Sequence, residues 1–229
     1  MGKEKKEVKK ERAKPTSWYG RFWHFLWYQD SFLSWITLLI LSFLIIKFGV
    51  YPGLGFVLGT SYPVVAVISE SMDHHLTDGE ICGQRPSYYD SSFEEYWRIC
   101  GNWYEQKEIS EDTFRSFSLP NGFRRGDIIV LRGKDPKNIN IGDIIVFRAR
   151  QAALKPDPII HRVVKKERSE GEAYLFQTKG DHNPGIHEDQ IIDEREIRED
   201  RILGVAWFKI PWLGFVKIYA VELFSTITK

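Results

Sequence analysis

The amino-acid sequence predicts a mainly β domain, anchored by one N-terminal transmembrane helix and ending in a C-terminal helix that lies in the membrane interface. Three observations lead there. A basic head is followed by a long uncharged apolar stretch. Short β-branched runs recur in the body behind turn-forming Gly-Asp pairs. The last residues place apolar and aromatic side chains at helical spacing.

The chain has 229 residues, one full domain and something smaller by the usual length prior. A mean hydropathy of −0.32 excludes a polytopic channel or transporter. Charged residues at 28% and aromatics at 14% exclude a wholly disordered chain. The net charge of +1 gives no general reason to expect nucleic acid as a partner. It conceals an asymmetry, however: residues 1–29 hold eight Lys/Arg against three Glu, so the rest of the chain is acidic.

Residues 31–46 carry no charge, and after Lys47 the chain is again uncharged to Ser69. A spanning helix needs about 20 mostly apolar residues, and 31–56 supplies them as a membrane anchor. Gly49, Pro52, Gly53 and Gly55 are expected to weaken its second half. Trp18, Trp23, Trp27 and Tyr28 lie where an aromatic belt would, so 1–30 reads as a cytoplasmic basic head and an interfacial segment. The positive-inside rule then puts the rest of the chain outside, in a single-pass topology at the cell membrane. A buried core helix and a cleaved leader are the competing readings. The long head and the length of the apolar stretch speak against the second.

Over 57–210, strands are expected at Val64–Ile68, Gly126–Leu131, Gly142–Phe147, Ile159–Val164, Ala173–Thr178 and Leu203–Phe208. The second and third are near copies, each Gly-Asp followed by four apolar residues. No long amphipathic helix is expected in 60–210. Residues 73–122, rich in Tyr, Trp, Ser and Glu, read as an insertion with its own small structure. They hold both cysteines, Cys82 and Cys100, as a disulfide or as two unpaired small apolar residues. In 211–229, Trp212, Phe215, Val216, Tyr219 and Leu223 share one face; Lys217 and Glu222 favour an interface helix over a second span.

No phosphate loop, CxxC pair, HExxH or GxSxG occurs, and His74, His75, His182 and His187 have no recognised metal-ligand spacing. A serine hydrolase has better material. Ser71 follows a strand, His161 interrupts an apolar run, and Asp181 sits in a turn-forming stretch. A serine hydroxyl needs a base, imidazole is the usual one near neutrality, and a carboxylate on its far nitrogen holds the tautomer. Chain order alone proves nothing.

Four segments in order add context: Val64–Met72 with Ser69-Glu70-Ser71-Met72 and an acidic residue after it, Arg125–Val130 with Gly142–Phe147, Ile160-His161-Arg162-Val163, and Thr178-Lys179-Gly180-Asp181-His182-Asn183. With them the chain resembles the type I signal peptidases, in the archaeal and endoplasmic-reticulum branch, over roughly 31–215. The bacterial branch has Lys where this chain has His161, so the resemblance is to the Ser-His branch.

The resemblance implies a signal-peptidase-like β fold and a membrane-anchored serine endopeptidase that cleaves signal peptides from secreted preproteins at small-x-small sites. It implies Ser71 as nucleophile, His161 as base then acid, Asp181 as the first family aspartate and Asp189 as the second, with an assumed two-residue insertion around Pro184-Gly185. Ser69 and Met72 fall on the oxyanion and substrate side. No metal or organic cofactor is called for. The expected partners are preproteins, the lipid bilayer and accessory subunits or secretion machinery. Two departures stand out: His74 replaces a usual Pro, and about 50 residues separate the nucleophile from Arg125-Gly126-Asp127. The competing class is a tethered binding or assembly module that contacts its partner through 73–122; a same-fold protease for other surface precursors is the third reading.

Overall fold

The structure is a computed structural model that describes residues 17–169 and 173–215. Most of the basic head and the C-terminal helix expected over 211–229 therefore lie outside the described residues. The chain divides into two compact units, one ending at Gly53 and the other starting at Leu54.

In the first unit, α1 (Trp18–Tyr28) is capped by Ser17, whose hydroxyl accepts the Gly20 N–H at 3.2 Å. Its Trp18, Trp23 and Trp27 are exposed. A short corner follows, closed by Ser34, whose hydroxyl donates to the Phe25 carbonyl at 2.6 Å. The next helix runs from Phe32 to Leu58, 27 residues, of which the last five belong to the second unit. At 1.5 Å per residue that is about 40 Å, enough to cross a bilayer core of about 30 Å. Only 6% of its most apolar window is buried, which separates it from the core helix of a soluble protein. It is built as α2 (Phe32–Ile45), a π turn (Ile46–Val50) and α3 (Tyr51–Leu58). The expected weakening around Pro52 takes the form of that π turn, not of a break. Proline lacks an N–H and crowds the carbonyl four residues back, and a wider turn just before it relieves both.

The second unit is organised by a seven-stranded antiparallel sheet in the order β1-β2-β7-β3-β4-β5-β6. The strands are β1 (Val64–Ala66), β2 (Ile128–Arg132), β3 (Ile144–Phe147), β4 (Ile159–Arg168), β5 (Tyr174–Lys179), β6 (Ile197–Arg198) and β7 (Ile202–Ile210). The two Gly-Asp copies are two copies of one turn. Asp127 N–H bonds the Arg124 carbonyl and Asp143 N–H bonds that of Asn140, with φ of +91° at both Gly126 and Gly142. This is the geometry of a type II turn, which demands a positive φ at its third residue. Each Asp side chain then accepts the N–H three residues back.

Strand β3 is uniformly apolar because both its faces are buried. Ile144 and Val146 join a core with Val67, Met72, Phe123, Ile129 and Ile160. Ile145 and Phe147 join another with Ile139, Val163, Phe176 and Val205. A strand buried on both faces reads as a continuous hydrophobic run.

Within 73–122, α4 (Phe93–Glu105) and α5 (Glu111–Arg115) are capped by Ser92 and Ser110. Helix α4 corrects the expectation of no long amphipathic helix. Tyr96, Trp97, Cys100 and Tyr104 bury one face of it. Its stripe is aromatic and set among Ser and Glu, so local hydropathy is low although the period is helical. These rings surround the fully buried Phe114, the nearest being Tyr104 at 4.7 Å between centroids. Cys82 and Cys100 form a disulfide with their Cα atoms 5.7 Å apart.

Candidate active site

Three backbone elements bring the reactive side chains together. Beyond β1 the chain turns at 70–73, where Asp73 N–H bonds the Glu70 carbonyl at 2.9 Å, and this turn presents Ser71. His161 sits on β4 opposite Ile145 of β3. Glu194 precedes β6 and is held against β5, where Thr178 N–H donates to its carbonyl at 3.1 Å.

Ser71 Oγ lies 2.8 Å from His161 Nε2. On the other side of the ring, His161 Nδ1 is in short contact with Glu194 Oε1. Glu194 is fully buried and its carboxylate is well supplied with donors: the Thr178 hydroxyl at 2.8 Å and the His187 N–H at 2.8 Å. Burial pushes its pKa up, but the facing His161 and these hydrogen bonds prevail and hold it below the ordinary glutamate value. An ionised Glu194 takes the Nδ1 proton as acceptor, leaving the Nε2 lone pair directed at the Ser71 hydroxyl. Ser71 O–H then donates to Nε2, the arrangement that activates a serine nucleophile.

The carboxylate on His161 is thus neither of the two aspartates expected from the sequence. Asp189 is exposed and caps its own turn, accepting the Ile191 and Ile192 N–H groups at 2.8 Å each. A side chain so engaged does not reach the imidazole. The loop from Pro184 to Asp193 is longer than the assumed insertion allowed for, and the residue that returns to β5 is Glu194. Asp181 is fully buried, and its carboxylate is taken up by partners other than His161. Arg162 grips it through Nε at 2.9 Å and Nη2 at 2.7 Å, His74 Nε2 lies at 3.1 Å, and the Tyr104 hydroxyl donates at 3.0 Å. Burial alone would raise its pKa; the Arg162 charge and the His74 bond drive it far below the ordinary value.

No protein-family model matches the chain. It is similar to the signal peptidase complex catalytic subunit SEC11 of several fungi. Identity is 32% over 117 residues with that of Komagataella phaffii, covering 47% of this chain and 64% of the relative. It is 36% over 110 residues with that of Colletotrichum graminicola, covering 47% and 61%. With that of Schizosaccharomyces pombe the match is longer, 29% over 190 residues, covering 80% and 82%. In the first two the match spans less than two thirds of the relative's own length. These signal peptidase complex catalytic subunits are homologues of the chain.

The remaining residues singled out by that resemblance divide between the site and its support. Ser69 is exposed, with Oγ 3.3 Å from Ser71 Oγ. Met72 is 1% exposed and belongs to the core, so it does not line an open substrate surface; its sulfur lies 3.4 Å from the Asp181 N–H. Gly180 passes so close to the reactive pair that an added Cβ would stand 2.7 Å from the Ser71 carbonyl oxygen and 2.9 Å from His161 Nε2. Next to it, Lys179 is fully buried, its amine donating to the Gly180 carbonyl at 3.0 Å and lying over the Tyr104 ring. Burial pushes that amine down to about 8. Among the described residues, no group of His, Cys, Asp and Glu would hold a metal ion.

Sequence reasoning missed Glu194, Tyr96 and Tyr104, and it gave Arg162 and His74 no part in the site. The one signal for Glu194 was its place in Asp193-Glu194, a carboxylate pair just before the next strand. The tyrosines were visible only as the stripe of a helix that was not expected.

Proposed function

We propose that this chain is a membrane-anchored serine endopeptidase that removes N-terminal signal peptides from secreted preproteins at small-x-small sites. The observation that carries the reading is Ser71 Oγ at 2.8 Å from the Nε2 of a histidine whose Nδ1 meets a buried carboxylate. The similarity to signal peptidase catalytic subunits supplies the substrate class.

In this reading Ser71 Oγ attacks the scissile carbonyl carbon while its proton passes to His161 Nε2. Glu194 stabilises the resulting imidazolium across Nδ1. The oxyanion is held by the Ser71 backbone N–H and the Ser69 hydroxyl; one such donor is worth about 3–4 kcal/mol in the transition state. His161 gives its proton to the departing amine, which frees the mature protein. A water then loses a proton to His161 and attacks the ester, releasing the signal peptide carboxylate and restoring the Ser71 hydroxyl.

Strand β1 is an edge of the sheet and leads into the Ser71 turn, so an extended substrate adds beside it by strand pairing. The apolar helix Phe32–Leu58 serves as a single-pass anchor, with the basic head on the cytoplasmic side and the β domain outside. Sharing one membrane plane with the substrate raises the effective concentration of both. Accessory subunits are further partners, by analogy with the complex named for the relatives.

The test is cleavage by the full chain in liposomes of a preprotein with Ala at the two small positions, beside versions with Leu at each. Cleavage of the first and loss of cleavage with either Leu are expected. Equal cleavage of all three, or cleavage of none, contradicts the assigned substrate class.

A further inference from the structure

Asp181 and the loop 180–183 do no chemistry in the mechanism above, yet they touch the nucleophile. His182 N–H donates to the Ser71 carbonyl at 2.9 Å, and Gly180 packs against both Ser71 and His161. The position of this loop therefore sets the position of the Ser71 backbone.

The insertion holds the loop in turn. From α4, the Tyr96 hydroxyl donates to the Asp181 carbonyl and the Tyr104 hydroxyl to its carboxylate, each at 3.0 Å. Cys82 N–H donates to the His182 carbonyl at 2.9 Å, and the Cys82–Cys100 disulfide ties that point back to α4. His74 lies flat on Tyr96, with ring centroids 3.6 Å apart, while it bonds Asp181. Burial lowers the His74 pKa, so the neutral ring donates its Nε2 proton to the carboxylate. The two departures from the family pattern, His74 and the insertion, thus meet on one aspartate.

We infer that Tyr96 and Tyr104 are positioning residues for the Ser71–His161 pair, and that the insertion 73–122 is a brace which seats loop 180–183 under the nucleophile. This rests on the peptidase reading. Two hydroxyls that fix one loop at both its main chain and its side chain restrict the geometry in which Ser71 meets His161, and small misplacements of a nucleophile are costly.

The variant Tyr96→Phe/Tyr104→Phe keeps both rings in the Phe114 cluster and removes only the hydroxyls. Two readouts are taken together: hydrogen exchange of the His182 amide, with the Val163 amide as internal reference, and kcat and KM for a preprotein. The expected result is at least about ten-fold faster exchange at His182 with Val163 unchanged, and a fall of about ten-fold in kcat with KM unchanged. Unchanged His182 exchange overturns the inference, and so does faster exchange with unchanged kcat. A wild-type chain that cleaves no preprotein overturns the peptidase reading itself, and the brace with it. If the double variant does not fold, Tyr104→Phe alone is read by the same criteria.

Discussion

Replacing Glu194 by Gln removes one charge from the centre of the site and leaves its shape nearly intact. The carboxylate meets three donors: His161 Nδ1 and the Thr178 hydroxyl at Oε1, and the His187 N–H at Oε2. An amide cannot accept at both ends. With its oxygen toward His161 it turns its NH2 on the His187 N–H; flipped, it forces the proton of His161 onto Nε2 and removes the base. In either pose the imidazolium loses its counter-charge. Unit charges about 4 Å apart at an effective dielectric of about 20 interact by about 4 kcal/mol. At about 1.4 kcal/mol per decade this is about a thousandfold in kcat. The assay is single-turnover cleavage of a preprotein by the liposome-embedded chain, with the far-ultraviolet spectrum and melting curve as controls for folding. Asp189→Asn, run in parallel, is expected to stay within about two-fold, since Asp189 caps its own exposed turn and its ion pair to His187, at 4.0 Å, is solvent-exposed. A folded Glu194→Gln enzyme with wild-type kcat, or a large loss in Asp189→Asn instead, would refute the assignment of the third residue.

Gly180→Ala places a methyl 2.9 Å from His161 Nε2 and 2.7 Å from the Ser71 carbonyl oxygen, and kcat is expected to fall by about 100-fold or more in the same assay. Lys179 keeps its proton in the unfolded chain up to about 10.5 and in the folded chain only up to about 8. The unfolded state therefore binds more protons between those values, and stability rises with pH there. Urea unfolding should show the wild type gaining roughly 2–3 kcal/mol over Lys179→Met from pH 7 to pH 10. Asp181 and Glu194 act oppositely, both held below their ordinary values. Their contribution is complete above the ordinary carboxylate range and is lost as pH falls below it, because the unfolded chain takes up protons that the folded chain refuses. Acid titration followed by circular dichroism should place the loss of structure in that lower range.

The parts of the fold that were legible in the sequence are those where one local rule decides. Gly-Asp at 126–127 and 142–143 announces a turn that requires a positive φ, and the apolar runs behind it become β2 and β3. The uncharged stretch after the head becomes the long helix. Strand β4 runs four residues further than expected, to Arg168, because Lys165–Arg168 pair with β5 while remaining largely open to water, so no apolar signal marks them. Helix α4 escaped because its buried face is aromatic. For the site, the motif order named Ser71 and His161, and the structure brings them within hydrogen-bonding distance. The third residue was out of reach for a physical reason. Which carboxylate returns to β5 depends on the path of the 184–193 loop, and residue spacing carries no information about that path. Asp181 illustrates the reverse: a motif aspartate whose partners are an arginine on the neighbouring strand and side chains from a distant insertion.

The most direct test of the central claim is cleavage of a signal-bearing preprotein by the full chain in liposomes, wild type beside Ser71→Ala, with the new N-terminus read by mass spectrometry. A single cut after a small residue by the wild type, and none by Ser71→Ala, is the expected result. Equal cleavage by both chains would remove Ser71 from the mechanism and contradict it.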